Sequence, residues 1–175
     1  MKIHLAPVRF TNSALLAYVK KDLSHIFSEV DVAHIDINID EAYSKEREQY
    51  FSTLIIAETI KKTELVNGKF IILTDVDLYI PVLTFIFGEA QLNGKHSIVS
   101  VCRLHEEFYS GTTDEHLLRI RTMKEVLHEL GHNFGLKHCI NWDCVMHSST
   151  NIEEVDIKGK FYCIECENKI KFSHS

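Results

Sequence analysis

Residues 128–138 read H-E-x-x-H-x-x-G-x-x-H, with His128, Glu129, His132, Gly135 and His138 at the specified positions. His128 and His132 are four apart, so on a helix their imidazoles project from one face and can chelate a single ion. Glu129 stands next to the first of them, where its carboxylate can take a proton from a water activated by that ion. Gly135 allows the chain to turn back and bring His138 in as a third ligand. Three imidazoles leave a fourth position open, the mark of a catalytic rather than a structural zinc site. The chemistry this predicts is hydrolysis of an amide, with zinc polarising the carbonyl and Glu129 as general base.

Four of the five cysteines, Cys139, Cys144, Cys163 and Cys166, fall within the C-terminal part of the chain. The first residues carry no basic segment followed by a long apolar stretch, so a reducing, cytoplasmic setting is expected, and metal is favoured over two disulfides. Four thiolates make a closed tetrahedral zinc site. The segment after Gly135 has few apolar anchors, so a metal clip would order it and its binding energy would serve folding. Cys102, in an apolar alternation, reads as a buried inert thiol.

The motif of residues 128–138, followed by Met146 in C-V-M-H-S, resembles the metzincin clan of zinc peptidases. With the cysteines added, as C-x4-C-x-M and then C-x-x-C, the pattern is similar to the archaemetzincin family. T-D-V-D-L at 74–78 and F-G-E-A at 87–90 also resemble that family. The resemblance implies a metallopeptidase with two zinc ions, one catalytic on His128, His132 and His138 and one structural on Cys139, Cys144, Cys163 and Cys166. It places Met146 in a tight turn beneath the histidines. It further implies an antiparallel edge strand along the cleft, to which residues 84–91 are assigned; Thr84, Phe85, Ile86, Phe87, Gly88 and Glu89 are the candidate substrate-binding positions, pairing with an extended peptide by strand addition. Some clan members place a Tyr two residues after the Met as oxyanion stabiliser. Ser148 stands there in this chain; Tyr162 and His147 are the candidate substitutes, though each reads first as a structural residue.

The elements that must position this site follow from periodicity. A strand is expected over residues 2–8, a helix over 11–27 capped by Thr11 or Asn12, and a half-buried strand over 32–39 where Ile35, Ile37 and Ile39 alternate with polar residues. A loop at 40–49 leads to a helix over about 49–62 with Phe51, Leu54, Ile55 and Ile60 inward. The apolar run 70–74 reads as a buried strand. Strands at 84–91 and 97–102 flank Asn93-Gly94 as a hairpin. A loop at 104–114 precedes the long motif-bearing helix at 114–134, and an irregular tail follows. The fold class is α+β: a mixed twisted sheet with an antiparallel edge strand, two backing helices and an active-site helix. Residues 1–135 form an N-terminal subdomain and 136–175 a small C-terminal one, within a single catalytic domain.

The chain has 175 residues, 19 basic against 25 acidic, for a net charge of -6. That excludes a nucleic-acid footprint, and no uncharged run is long enough for a membrane span. A monomer acting on peptides is expected, with aminopeptidase-like cleavage of small peptides as one form. The rival is a zinc-stabilised module of the same fold that binds a peptide or protein without turnover. Glu129 favours the enzyme, since a binder needs no base beside an open metal. His4, His25, His34, His96, His105, His116 and His174 lack ligand spacing and read as surface or satisfied core residues. His105-Glu106-Glu107 reads as a solvated charge run, Asp75 and Asp77 as weak evidence for a cation, and Arg119 and Arg121 as partners of nearby acids.

Overall fold

The computed structural model describes residues 1–172; His174 lies outside them. In chain order the elements are β1 Lys2–Pro7, α1 Ser13–Ser24, β2 Glu29–Val32, β3 Tyr43–Ser44, β4 Gln49–Phe51, α2 Ser52–Thr63, β5 Lys69–Thr74, β6 Leu78–Tyr79, β7 Gly88–Ala90, β8 His96–Ser100, α3 Glu107–Ser110, α4 Glu115–Asn133, α5 Ile152–Ile157 and α6 Ile164–Phe172. Short 3-10 turns occupy Asp40–Ala42 and Cys102–Leu104.

The main sheet has the order β2-β1-β5-β8-β7, parallel except for antiparallel β7 at one edge. Its central strands β1, β5 and β8 are buried almost throughout because both faces are covered. Ile3, Leu5, Ile71, Leu73 and Val99 join the cluster that includes Leu15, Val19 and Leu23 of α1 and Val126, Leu127 and Leu130 of α4. The alternate residues Ala6, Ile72 and Ile98 pack on Ile55 and Ile56 of α2. This is the expected α+β arrangement of two backing helices plus a motif-bearing helix. Cys144, Val145, Met146, Ile152, Val155 and Cys166 belong to the same cluster as α1 and α4, so the tail is anchored in the common core.

Several boundaries differ from the sequence reading, each for a physical reason. The ladder of β2 is at Glu29–Val32, not 32–39. Ile35, Ile37 and Ile39 do alternate inward against the α2 cluster, but that stretch has burial without strand pairing. Residues 40–51 contain the small ribbon β3–β4, which extends through β6 into a second sheet. Leu54 is exposed and Ile56 takes the inward place on α2. The 104–114 segment includes the short helix α3, and the tail includes α5 and α6, so it is not irregular throughout. Cys102 stands in the turn after β8, half-buried, its thiol pushed up by burial.

The edge strand is shorter than the assigned 84–91. Only Gly88, Glu89 and Ala90 pair with Val99, Ile98 and Ser97 of β8. Phe87 still bonds β8, its carbonyl accepting from the Ser100 amide at 2.8 Å, while Thr84, Phe85 and Ile86 leave the ladder because the second sheet holds this stretch. Gln49 Nε2 donates to Thr84 O at 2.9 Å, Arg47 to Leu83 O at 3.0 Å, and the Ile86 amide to Leu78 O at 3.0 Å.

His96, at the start of β8, is a core histidine. Its ring stacks on Phe70 at 5.2 Å, and Nε2 lies 2.7 Å from Thr63 Oγ1. Burial first, then the Lys95 charge, lowers its pKa to about 4. On acidification below about 6.5, the unfolded chain gains this proton and the folded chain does not. Stability contributed by neutral His96 is therefore whole above that pH and lost as pH falls towards 4, with a slope of up to about 1.4 kcal/mol per pH unit. Denaturant titrations of the wild type and His96→Gln across this window are expected to show a shallower acid slope in the variant.

Candidate active site

The site is built on α4. Asp114 caps this helix, its carboxylate accepting from the Leu117 amide at 2.9 Å. In its last two turns, His128 and His132 project into one cleft, and Gly135, at φ 87°, reverses the chain so that His138 joins them. One ring nitrogen from each of the three lies within 4.8 Å of the others.

The proton positions follow from the partners. His128 Nδ1 faces Val145 O at 2.8 Å and His132 Nδ1 faces Leu136 O at 2.8 Å. A carbonyl oxygen only accepts, so each Nδ1 carries the hydrogen and each Nε2 keeps its lone pair. Those two Nε2 atoms stand 3.1 Å apart. Burial, then the Lys158 charge, pushes His128 well below the ordinary imidazole range, and burial lowers His132 and His138. The two converging lone pairs of His128 and His132 repel one another unless a cation lies between them, and His138 brings a third ring nitrogen to the same point. The donor set therefore fits a zinc ion with an open position.

Glu129 lines the same cleft, fully buried. Burial and then the neighbouring Glu125 raise its carboxyl well above the usual range. The cleft measures about 800 Å³ and is walled by residues 83–90 on one side and by Ser148, Ser149 and Thr150 on the other. Thr84 through Glu89 thus all face the cleft, although only Gly88 and Glu89 do so from a strand. The Glu89 carboxylate is tied to the start of α2, accepting from Ser52 and from Thr53 Oγ1 at 2.9 Å.

Met146 sits fully buried in the turn beneath α4, where the Cys139 amide donates to Met146 O at 2.9 Å. A Cβ added at Gly131 would meet Met146 Sδ at 2.2 Å, so any larger residue there must push the buried Met146 side chain aside. Gly131→Ala is expected to destabilise the chain by about 1–3 kcal/mol through overpacking, read as a fall in Tm. An unchanged Tm would contradict this packing. The Tyr162 hydroxyl donates to Leu127 O at 2.6 Å, and His147 Nδ1 faces Cys139 O at 3.0 Å with its ring on Trp142. Both have the structural roles the sequence suggested.

The thiols of Cys139, Cys144, Cys163 and Cys166 also converge, all four sulfurs within 4.8 Å of one another and none in a disulfide. The Cys163 amide donates to Cys144 Sγ at 3.3 Å. Burial pushes the thiols of Cys144 and Cys166 up, so a cation is needed to hold them as thiolates. Four sulfurs in a closed cluster fit a structural zinc.

Among the cleft residues that escaped the sequence reading, two stand out. Lys158 and Glu125 form a buried ion pair at 2.8 Å. Glu125 stands four residues before Glu129 on α4, a spacing that could have flagged it. Lys158 carried no signal, since a lysine in a polar tail reads as surface. Asp75 accepts from Thr11, and Asp77 pairs with Arg103 at 2.7 Å, which accounts for both acids without a cation. Arg121 pairs with Asp156 and Glu106, while Arg119 lies over the Tyr18 ring.

The family model described as peptidase family M54 matches residues 35–172. The chain belongs to peptidase family M54. It is 40% identical over 172 residues to an archaemetzincin of Methanocaldococcus jannaschii, covering 98% of this chain and 93% of that protein. Among solved structures, the archaemetzincin of Archaeoglobus fulgidus, complexed with malonate, superposes with a TM-score of 0.81 at 35% identity, covering 97% of this chain and 99% of that one. A zinc-dependent peptidase from Methanocorpusculum labreanum superposes with a TM-score of 0.84 at 30% identity, covering 96% and 99% respectively. This M54 chain is thus a zinc metallopeptidase on the archaemetzincin fold. No described helix is long and apolar enough to cross a membrane.

Proposed function

We propose that the chain hydrolyses peptide bonds in the cleft over α4, with a catalytic zinc on His128, His132 and His138 and a structural zinc on Cys139, Cys144, Cys163 and Cys166. The observation that carries this reading is the convergence of three histidine ring nitrogens, two of them left unprotonated by their carbonyl partners, beside a buried carboxylate. When bound, zinc supplies a Lewis acid for the peptide carbonyl and lowers the pKa of water towards about 7.

The remaining work belongs to the chain. Val145 O and Leu136 O orient His128 and His132 and keep their Nε2 atoms free. The Glu129 carboxylate accepts the proton of the attacking water and returns it to the leaving amine. β7 is the terminal strand of its sheet, so its outer edge is open to an extended peptide, which backbone hydrogen bonds at Gly88–Ala90 would fix above the site.

Digestion of a diverse peptide mixture by the zinc-loaded chain, with and without a chelator, tests this. New peptide termini that vanish with chelator are expected. Their positions show whether cleavage is internal or of the aminopeptidase-like kind. Bound zinc with no new termini would make the chain a binding module instead.

A further inference from the structure

Gly88 stands in β7 on the cleft wall, and its φ is not in the left-handed region, so backbone conformation does not call for glycine there. Glycine inside a strand gives up stability and often marks a close approach. What approaches is the general base. A Cβ at Gly88 would stand 2.6 Å from Glu129 Oε1, 2.8 Å from Glu129 Cγ and 2.8 Å from Ile98 O. Ile98 O is backbone of β8, against which β7 is laddered, so a side chain at Gly88 has no second direction to take. Glu129 is only 5% exposed, and its carboxylate makes no hydrogen bond or ion pair with any described residue. Contact, with β7 on one side, is what fixes where that carboxylate stands.

The backbone of Gly88 faces the other way. Phe87 O accepts from the Ser100 amide at 2.8 Å, and the Gln91 amide donates to His96 O at 3.0 Å. Bonds across an antiparallel pair use alternate residues, so Gly88 and Ala90 turn their amides and carbonyls to the outer edge of the sheet, which no described strand covers. We propose that Gly88 is a positioning residue that sets the distance between the peptide bond to be cut and its general base. This rests on the peptidase reading of the same cleft. The outward amide and carbonyl of Gly88 pair with the extended substrate. Its missing side chain lets the Glu129 carboxylate lie against the same stretch of backbone. Substrate and base are thus registered on one residue. Ordinary contacts between such atoms are about 3.5–4.0 Å, so a methyl group at Gly88 pushes the carboxylate off by about 1 Å while leaving the outward backbone groups in place.

The test follows the wild type, Gly88→Ala, Glu129→Ala and the double variant, each zinc-loaded, on one peptide and in thermal melts. With zinc content unchanged, Gly88→Ala is expected to lower kcat by about 100-fold, the cost of a misplacement of about 1 Å at a reacting group, and to keep KM within about threefold of the wild type. The same substitution is expected to lower Tm by about 2–10 °C beside Glu129, and by less than half as much in Glu129→Ala, where the group it strikes is gone. An unchanged kcat, or a loss that lies wholly in KM, overturns the proposal. So does a Tm loss that is equal in the two backgrounds. Should Gly88→Ala not fold, a folded double variant supports the proposal, and a double variant that also fails to fold overturns it. A wild type that cuts no peptide refutes the peptidase reading and the proposal with it, whereas a wild type that cuts, alongside any of the contrary results, refutes the proposal alone.

Discussion

Glu129→Ala is expected to reduce kcat by about 100- to 10,000-fold, the range over which a positioned general base contributes, while zinc content stays at the wild-type level. The two halves of this result have separate causes. Glu129 is buried beside the converging histidines and is the group that takes and returns the proton. The metal is held by His128, His132 and His138, and the first two are oriented by Val145 O and Leu136 O, contacts that do not involve Glu129. Removing a buried carboxylate whose burial disfavours its charge is also not expected to destabilise the fold. Metal analysis alongside initial rates on one peptide checks both halves. Undiminished turnover in this variant would sink the assigned mechanism.

Cys144→Ser is expected to lower Tm by roughly 10 °C or more, taking about 2–4 °C per kcal/mol for a chain of this size. A structural zinc contributes about 10–16 kcal/mol to folding in small metal-ordered units, and a serine does not replace a thiolate ligand. The Cys144 side chain is fully buried, and its sulfur accepts from the Cys163 amide, so loss of the cluster loosens both ends of the segment from Cys139 to Cys166. The damage is expected to reach the histidines. Val145, next in the chain, supplies the carbonyl that orients His128. Activity should therefore fall together with Tm and with loss of one zinc per chain. Cys102→Ser is the control: that thiol stands apart from the cluster, and its replacement should leave zinc content unchanged. Two zinc ions and an unaltered Tm in the Cys144 variant would refute the structural assignment.

What was legible in the sequence was whatever local geometry enforces. The four-residue spacing of His128 and His132 sets one helical face, Asn12 caps α1 as its side chain suggests, and Gly135 turns the chain at positive φ. Less legible was anything decided by distant partners. Ile35, Ile37 and Ile39 alternate as a strand does, yet the neighbour of β1 is Glu29–Val32, and alternation alone does not choose the ladder. Residues 84–86 have strand-like composition, but Gln49 and Leu78 draw them, and Arg47 draws the preceding Leu83, towards the second sheet. α5 and α6 span 6 and 9 residues, too short to show a period. Lys158 became a cleft residue only when the tail folded back onto α4 beside Glu125.

The most direct measurement adds zinc stepwise to metal-free protein and follows bound zinc and peptide cleavage in the same sample. The account predicts two zinc ions per chain, and cleavage that rises with occupancy of the histidine site and is absent when only the four thiolates are filled. Full occupancy of both sites with no peptide bond cut would contradict it.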